Sequence, residues 1–123
     1  MHFSDICLVS ARVAELSAFY TKVFKVESSG NDIHTVLSLR GVQIIIYNKK
    51  AAEFDGAHFE NAGTGMLCIG FDVDNVDAEH LRLRNLGVDI LSAPTTWPWG
   101  ARSFRFRDPD GNMLIFRTWL ENH

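Results

Sequence analysis

PWGARSFRFRDPDGNMLIF, residues 98–116, contains two predicted strands joined by a turn. The first strand, 103–107, alternates phenylalanine with serine and arginine, which is the pattern of a strand with one buried face. The second, 112–118, is rich in aliphatic and aromatic residues. Asp-Pro-Asp-Gly at 108–111 predicts a tight turn between them, because proline restricts φ and glycine accepts positive φ.

The predicted elements of the chain, this pair of strands included, follow the order βαβββ twice. The first half contains strands 3–9, near 26, 33–39 and 42–47, with a helix at about 12–24. The second half contains strands 66–73, 88–91, 103–107 and 112–118, with a helix from Val76 that Gly87 stops. Residues 28–32, SSGND, have the composition of a turn.

The two halves also align in sequence, since LSLRG at 37–41 lies over FRFRD at 104–108. Such a repeat indicates two copies of one supersecondary unit within a single domain. We place module one at about 1–48, a linker at 49–65 and module two at about 66–123.

Composition and charge exclude several classes of protein. The 12 Lys and Arg residues against 15 Asp and Glu give a net charge of -3 without a basic cluster, so we expect no nucleic-acid partner. The longest apolar run, 42–47 interrupted by Gln43, is far shorter than the roughly 20 residues of a membrane span, so we expect no membrane partner. There is no sign of a secretory signal, and two cysteines are too few for a disulfide framework, which favours a cytoplasmic location.

The sequence resembles the glyoxalase, bleomycin-resistance and extradiol-dioxygenase superfamily, which has the vicinal oxygen chelate fold. Its similar segments are AFY at 18–20, FDVDNVDAEHLRLRNLGV at 71–88 and residues 98–116. The resemblance implies an α+β protein: two tandem βαβββ modules forming an open, cup-shaped mixed sheet with helices outside. It also implies a small molecule on the concave face, often with a divalent metal, and a homodimer.

The family's four metal-ligand positions fall on residues that do not suit a metal here. The first-strand positions are Asp5 and Cys68, and the last-strand positions, where metal enzymes have Glu, are Ile45 and Ile115. Isoleucine cannot coordinate an ion, and a hard carboxylate with a soft thiol suits no common metal. None of the histidines has HxH or HxxxH spacing. We therefore predict a protein without a metal site or another cofactor.

Strand alternation predicts the chemistry that remains in the cup. Phe104 and Phe106 are expected under the helices, which turns Ser103 and Arg105 toward the cavity. The same alternation places Met113, Ile115 and Arg117 on the concave face, together with Asp5 and Cys7. Two arginines would attract a carboxylate or phosphate. The alternative is that either arginine only neutralises Asp5 or extends to solvent.

Trp97 and Trp99 offer flat surfaces on which a planar or apolar ligand could stack. The alternative is that an indole plugs the cup or lies in a subunit interface. Trp119 is expected to seal an edge or a dimer contact. The candidate ligand-binding residues are Cys7, Ile45, Cys68, Trp97, Trp99, Ser103, Arg105, Ile115 and Arg117.

Three functional hypotheses follow. The first is a metal-independent small-molecule-binding protein whose ligand, anionic or aromatic, lies in the concave cavity. The second is a glyoxalase-type lyase or isomerase acting on a small carbonyl compound, with Asp5 as a candidate catalytic base and an atypical or absent metal site. The third is a dimeric domain whose ligand regulates another process. A Cys68 nucleophile would need a nearby base, which the sequence does not supply.

Overall fold

The computed structural model describes residues 1–120. The chain divides into two compact units, the first unit Met1–Met66 and the second unit from Leu67 onward, and each is described by itself. Within residues 1–120, none of the helices has the length and apolar character needed to cross a membrane.

The first unit has the predicted βαβββ order followed by a short helix. Its elements are β1 (Asp5–Ser10), α1 (Val13–Phe24), β2 (Ser28–Gly30), β3 (His34–Leu39), β4 (Val42–Asn48) and α2 (Lys49–Phe54). The sheet order is β1-β4-β3-β2, in which β1 and β4 are parallel and the other pairs antiparallel. The helix α2 lies in the segment predicted as a linker, and its Asn48 side chain accepts a hydrogen bond from the Ala51 N–H at 3.0 Å.

Helix α1 covers one face of this sheet because its apolar residues recur at helical spacing. The buried residues of α1 are Val13, Leu16, Tyr20 and Val23. They share the core with alternate residues of the strands, Leu8, Leu37, Ile44 and Ile46. The strand residues between these point to the opposite face of the sheet.

The second unit repeats this arrangement with one additional strand. Its elements are β5 (Cys68–Asp72), α3 (Val76–Asn85), β6 (Asp89–Ile90), β7 (Thr95–Trp97), β8 (Ala101–Arg107) and β9 (Met113–Trp119). The sheet order is β5-β9-β8-β6, and β7 also pairs with β8. Only the β5–β9 pair is parallel. The predicted α+β class with two βαβββ modules is therefore confirmed.

An aromatic core lies between α3 and the sheet of the second unit. Phe104 and Phe106 have no exposed surface, as the alternation in β8 predicts. Phe116 packs edge-on against both rings, with centroids 5.8 Å from Phe104 and 4.9 Å from Phe106. His80 of α3 contacts Phe104 edge-on at 5.2 Å, which accounts for this histidine as a packing residue. These contacts hold β8 and β9 at a fixed register.

The turn between β8 and β9 is organised by the buried carboxylate of Asp108. One carboxylate oxygen accepts hydrogen bonds from the N–H groups of Asp110 and Asn112, each at 2.9 Å. The other accepts from the Asn112 side-chain amide at 2.9 Å. The Asn112 amide oxygen in turn accepts from the Leu67 N–H at 3.2 Å, so the turn is also fastened to the chain just before β5.

Besides α2, two strands differ from the sequence-based prediction. The strand predicted near residue 26 forms instead at 28–30 as β2, in a segment predicted as a turn, because its backbone pairs with β3 although all three residues are exposed. The strand β7 was not predicted, since its three residues stand between Pro94 and Pro98 without a visible alternation. Both are edge pairings formed by backbone groups, for which side-chain periodicity gives no signal.

Candidate ligand-binding site

A cavity of about 410 Å³ lies on the second unit, on the side of the sheet opposite its aromatic core. It is lined by Cys68, Trp97, Trp99, Ser103, Arg105, Met113, Ile115 and Arg117. The strand residues of this set share one face because they alternate with the buried residues of β5, β8 and β9. All the candidates predicted for module two thus meet in one cavity, whose volume suits a small organic ligand.

A stacked pair of indoles forms one wall. The Trp97 and Trp99 rings lie nearly parallel, at 10° and 4.9 Å between centroids. The Trp97 Nε1–H donates to the Ser103 Oγ at 2.8 Å, which fixes the inner indole on β8. A turn closed by the Gly100 N–H donating to the Trp97 carbonyl at 3.1 Å brings the outer indole back over the inner one. Trp99 remains 60% exposed, so its surface is open to a ligand.

Arg105 contributes a positive charge that no carboxylate of the described residues balances. Its guanidinium carbon lies 5.8 Å from the centroid of the Trp97 ring, a cation–π contact. Within residues 1–120, the structure shows no hydrogen bond or ion pair to this guanidinium. An arginine that lines a cavity with its donors unused is suited to bind an anionic group through two parallel hydrogen bonds.

Arg117 is held by its neighbours instead. Its Nε lies 3.6 Å from the Asp72 Oδ1, and its guanidinium carbon 4.9 Å from the centroid of the Trp119 ring. The guanidinium also lies over Gly70, where an added Cβ would come within 2.8 Å of Nη2. The Nε is buried and has no hydrogen-bond partner among the described residues, since the distance to Asp72 exceeds that of a hydrogen bond.

The remaining predicted residues, Asp5, Cys7 and Ile45, belong to the first unit. They lie on β1 and β4, on the face of that sheet opposite its core, and Cys7 pairs in register with Ile45. Cys7 and Cys68 are both exposed free thiols. Partial shielding of the sulfur from water and, second, the nearby charge of Asp5 raise the pKa of the Cys7 thiol, although the residue as a whole is exposed.

We expect the Cys7 thiol to be alkylated slowly. In a Cys68→Ser background, iodoacetamide at pH 8 reacts more slowly with the folded protein than with the same protein in urea, because the raised pKa lowers the thiolate fraction. Adding Asp5→Asn removes one cause of the shift and accelerates the reaction. Alkylation followed by mass spectrometry against pH measures both effects. Equal rates for the folded and unfolded protein would contradict the shift.

The residues at the family's metal positions do not fit a divalent ion. Ile115 and Cys68 both line the cavity, and neither has a carboxylate or an imidazole to coordinate a cation. The guanidiniums of Arg105 and Arg117 are themselves positive and cannot coordinate one. In the part of the chain that the structure describes, no three His, Cys, Asp or Glu side chains lie together as a possible ligand set. The cavity lining, as far as residues 1–120 form it, also contains no imidazole or carboxylate to act as a base.

Sequence reasoning missed the residues that position Arg117. Gly70, Asp72 and Trp119 were not among the candidates, yet all three lie against its guanidinium. The available signal was the alternation along β5, which puts residues 68, 70 and 72 on one face. The alternation does not show which residues of β9 contact these three. That depends on the parallel register, in which Asp72 pairs with Arg117.

Comparison with known proteins gives consistent results. The family model described as Glyoxalase/Bleomycin resistance protein/Dioxygenase superfamily matches residues 2–116. The structure is similar to a glyoxalase/bleomycin resistance protein/dioxygenase from Nocardioides, with 23% identity, a TM-score of 0.85 and coverage of 100% of this chain and 86% of that chain. A family enzyme from Burkholderia phytofirmans PsJN gives 20% identity, a TM-score of 0.85 and coverage of 98% and 100%.

A third similar structure is an antibiotic-binding protein from Streptomyces sp. CB03234. It has 20% identity and a TM-score of 0.77, and the alignment covers 97% of this chain and 96% of that one. No curated protein shows significant sequence similarity to the chain. At these identities the structural likeness concerns the fold, so the function has to be inferred from the residues of the cavity.

Proposed function

Since this chain belongs to the glyoxalase/bleomycin resistance/dioxygenase superfamily, we propose that it is a metal-independent small-molecule-binding protein of that superfamily. Its ligand is held in the cavity of the second unit and combines a flat aromatic part with an anionic group. The fold supplies the sheet, and the side chains on the open face of that sheet determine what binds. The similar Streptomyces protein, described as antibiotic-binding, supports the same general class of activity.

One observation carries the proposal: the cavity is lined by a stacked indole pair and by a guanidinium that has no carboxylate partner within residues 1–120. Trp97 and Trp99 provide flat apolar surface, and Arg105 provides charge and directed donors. Aromatic stacking contributes affinity at low entropic cost, because the indoles are already fixed by contacts such as the bond from Trp97 to Ser103. A carboxylate bound to Arg105 displaces water from the guanidinium and accepts two parallel hydrogen bonds from it.

The lining favours binding over chemical turnover. Proton abstraction next to a carbonyl needs a base and an electrophile that stabilises the developing negative charge. The described lining has two guanidiniums but no carboxylate or imidazole, and its Cys68 thiol has no such partner to activate it. The cytoplasmic location and the homodimer expected from the sequence belong to the proposal, although the cavity argument depends on neither.

Calorimetric titration with 2-naphthoate tests the proposal. We expect saturable one-to-one binding in the micromolar to low millimolar range, which corresponds to about 4 to 8 kcal/mol. Pretreatment of the protein with EDTA is expected to leave the affinity unchanged. Loss of binding after EDTA, restored by a divalent ion, would contradict the proposal that binding is independent of a metal. Consumption of the ligand with release of a product would favour the enzyme hypothesis instead.

A further inference from the structure

The two arginines of the cavity differ in charge balance, and this difference bears on which anions bind. The inference rests on the proposed function, because it concerns the same cavity. Arg105 and Arg117 are the charged residues among those that line it. Arg117 pairs with Asp72 across the parallel β5–β9 register, whereas the structure shows no carboxylate partner for Arg105 among residues 1–120.

Three contacts keep Arg117 next to Asp72. Gly70 leaves room for the guanidinium, since a Cβ there would approach Nη2 to 2.8 Å. Trp119 covers it at 4.9 Å, and Asp72 approaches Nε at 3.6 Å. The Asp72 side chain is 68% exposed and the Arg117 side chain 30%, so the pair lies at the open side of the cavity rather than within the core.

We propose that the cavity selects monoanionic aromatic carboxylates over the corresponding phosphate dianions, and that Asp72 sets this preference. The charges of Arg105, Arg117 and Asp72 leave one positive charge unbalanced, which one carboxylate neutralises. A dianion would bring a second negative charge close to the exposed carboxylate of Asp72, and the juxtaposition of like charges in a binding site disfavours binding. The planar carboxylate also matches the fork of a single guanidinium.

Three naphthalene probes of the same aromatic size test this preference. They are 2-naphthoate, 2-naphthyl phosphate and the neutral 2-naphthalenemethanol, titrated by calorimetry at pH 8, where the phosphate is a dianion. With the unmodified protein we expect 2-naphthoate to bind about tenfold more tightly than 2-naphthyl phosphate, as expected for an opposed second charge. Asp72→Asn is expected to strengthen the binding of 2-naphthyl phosphate about tenfold, because the repelling charge is gone. The ratio of the carboxylate affinity to the phosphate affinity then falls to about one.

Asp74→Asn is the matched control, since Asp74 is an exposed carboxylate two positions further on that, unlike Asp72, forms no ion pair with Arg117 among residues 1–120. We expect it to leave the carboxylate-to-phosphate ratio unchanged. Equal or tighter binding of the phosphate to the unmodified protein would overturn the inference, as would a ratio that Asp72→Asn does not alter. Saturable binding of 2-naphthoate in those cases would leave the proposed function standing. If none of the three probes binds, the proposed function fails and this inference fails with it.

Discussion

Replacing Asp108 with alanine is expected to lower the free energy of unfolding by about 3 kcal/mol, because two buried backbone N–H groups lose their acceptor. Asp108 is 5% exposed, and its carboxylate accepts from the N–H groups of Asp110 and Asn112 and from the Asn112 side chain. Each unsatisfied buried donor costs about 1 to 3 kcal/mol. The freed Asn112 side chain also loses the orientation in which it accepts from Leu67. Urea denaturation followed by circular dichroism measures the change.

Asp89→Ala is the control for this measurement. Asp89 is an exposed aspartate of the same unit, and its removal is expected to change stability by no more than about 0.5 kcal/mol. The loss of stability in Asp108→Asn is expected to lie between those of Asp89→Ala and Asp108→Ala. The new amide keeps one oxygen acceptor, but its NH2 group faces the NH2 group of Asn112, which is also a donor. An Asp108→Ala protein as stable as the Asp89→Ala protein would show that the turn does not depend on the carboxylate.

The β8–β9 segment could be predicted from the sequence because its signals are local. Alternation along residues 103–107 predicted that Phe104 and Phe106 are buried, and both are. The Asp-Pro-Asp-Gly sequence predicted the turn, where Gly111 does adopt a positive φ of 87°. The same alternation predicted that Ser103 and Arg105 share the opposite face, where they line the cavity.

The environment of Arg117 could not be predicted, since it depends on pairing between distant segments. Asp72 and Arg117 become neighbours only when β5 joins β9 in parallel with this register, and a shift by one residue would reverse the faces. The sequence does not indicate the role of Gly70, because a glycine in a strand has several possible explanations. The guanidinium that lies over it belongs to Arg117, on another strand. The residues next to each arginine could therefore be identified only from the structure.

The contrast between the two arginines follows from the position of their strands. Arg117 lies on β9, between β5 and β8, so Asp72 of the adjoining strand reaches it. Arg105 lies on β8, where its cross-strand neighbour on β9 is Ile115. Ile115 is the residue that the sequence resemblance aligns with a metal-binding glutamate. The isoleucine thus leaves the Arg105 guanidinium without a carboxylate at that position, which makes it available to a ligand.

Arg105→Ala is expected to weaken the binding of 2-naphthoate about 30-fold. The substitution removes a charge-assisted pair of hydrogen bonds worth about 2 kcal/mol, and 1.4 kcal/mol corresponds to about a tenfold change in affinity. Arg105 also contacts the Trp97 ring at 5.8 Å, so part of any loss could come from a displaced indole. Neutral 2-naphthalenemethanol separates the two effects, because it needs the indole surface but no guanidinium. Its affinity is expected to change by less than about threefold, the scale of a weak exposed cation–π contact.

Arg84→Ala provides the matched loss of one positive charge. Arg84 is exposed on α3, which packs on the opposite side of the sheet from the cavity, and its removal is expected to leave 2-naphthoate binding unchanged at 0.15 M salt, where separated charges are screened. Titration calorimetry of both variants with both probes gives the comparison. An equal loss for the anionic and the neutral probe in Arg105→Ala would show that Arg105 supports Trp97 and does not bind the anion. No loss for either probe would place the ligand outside this cavity.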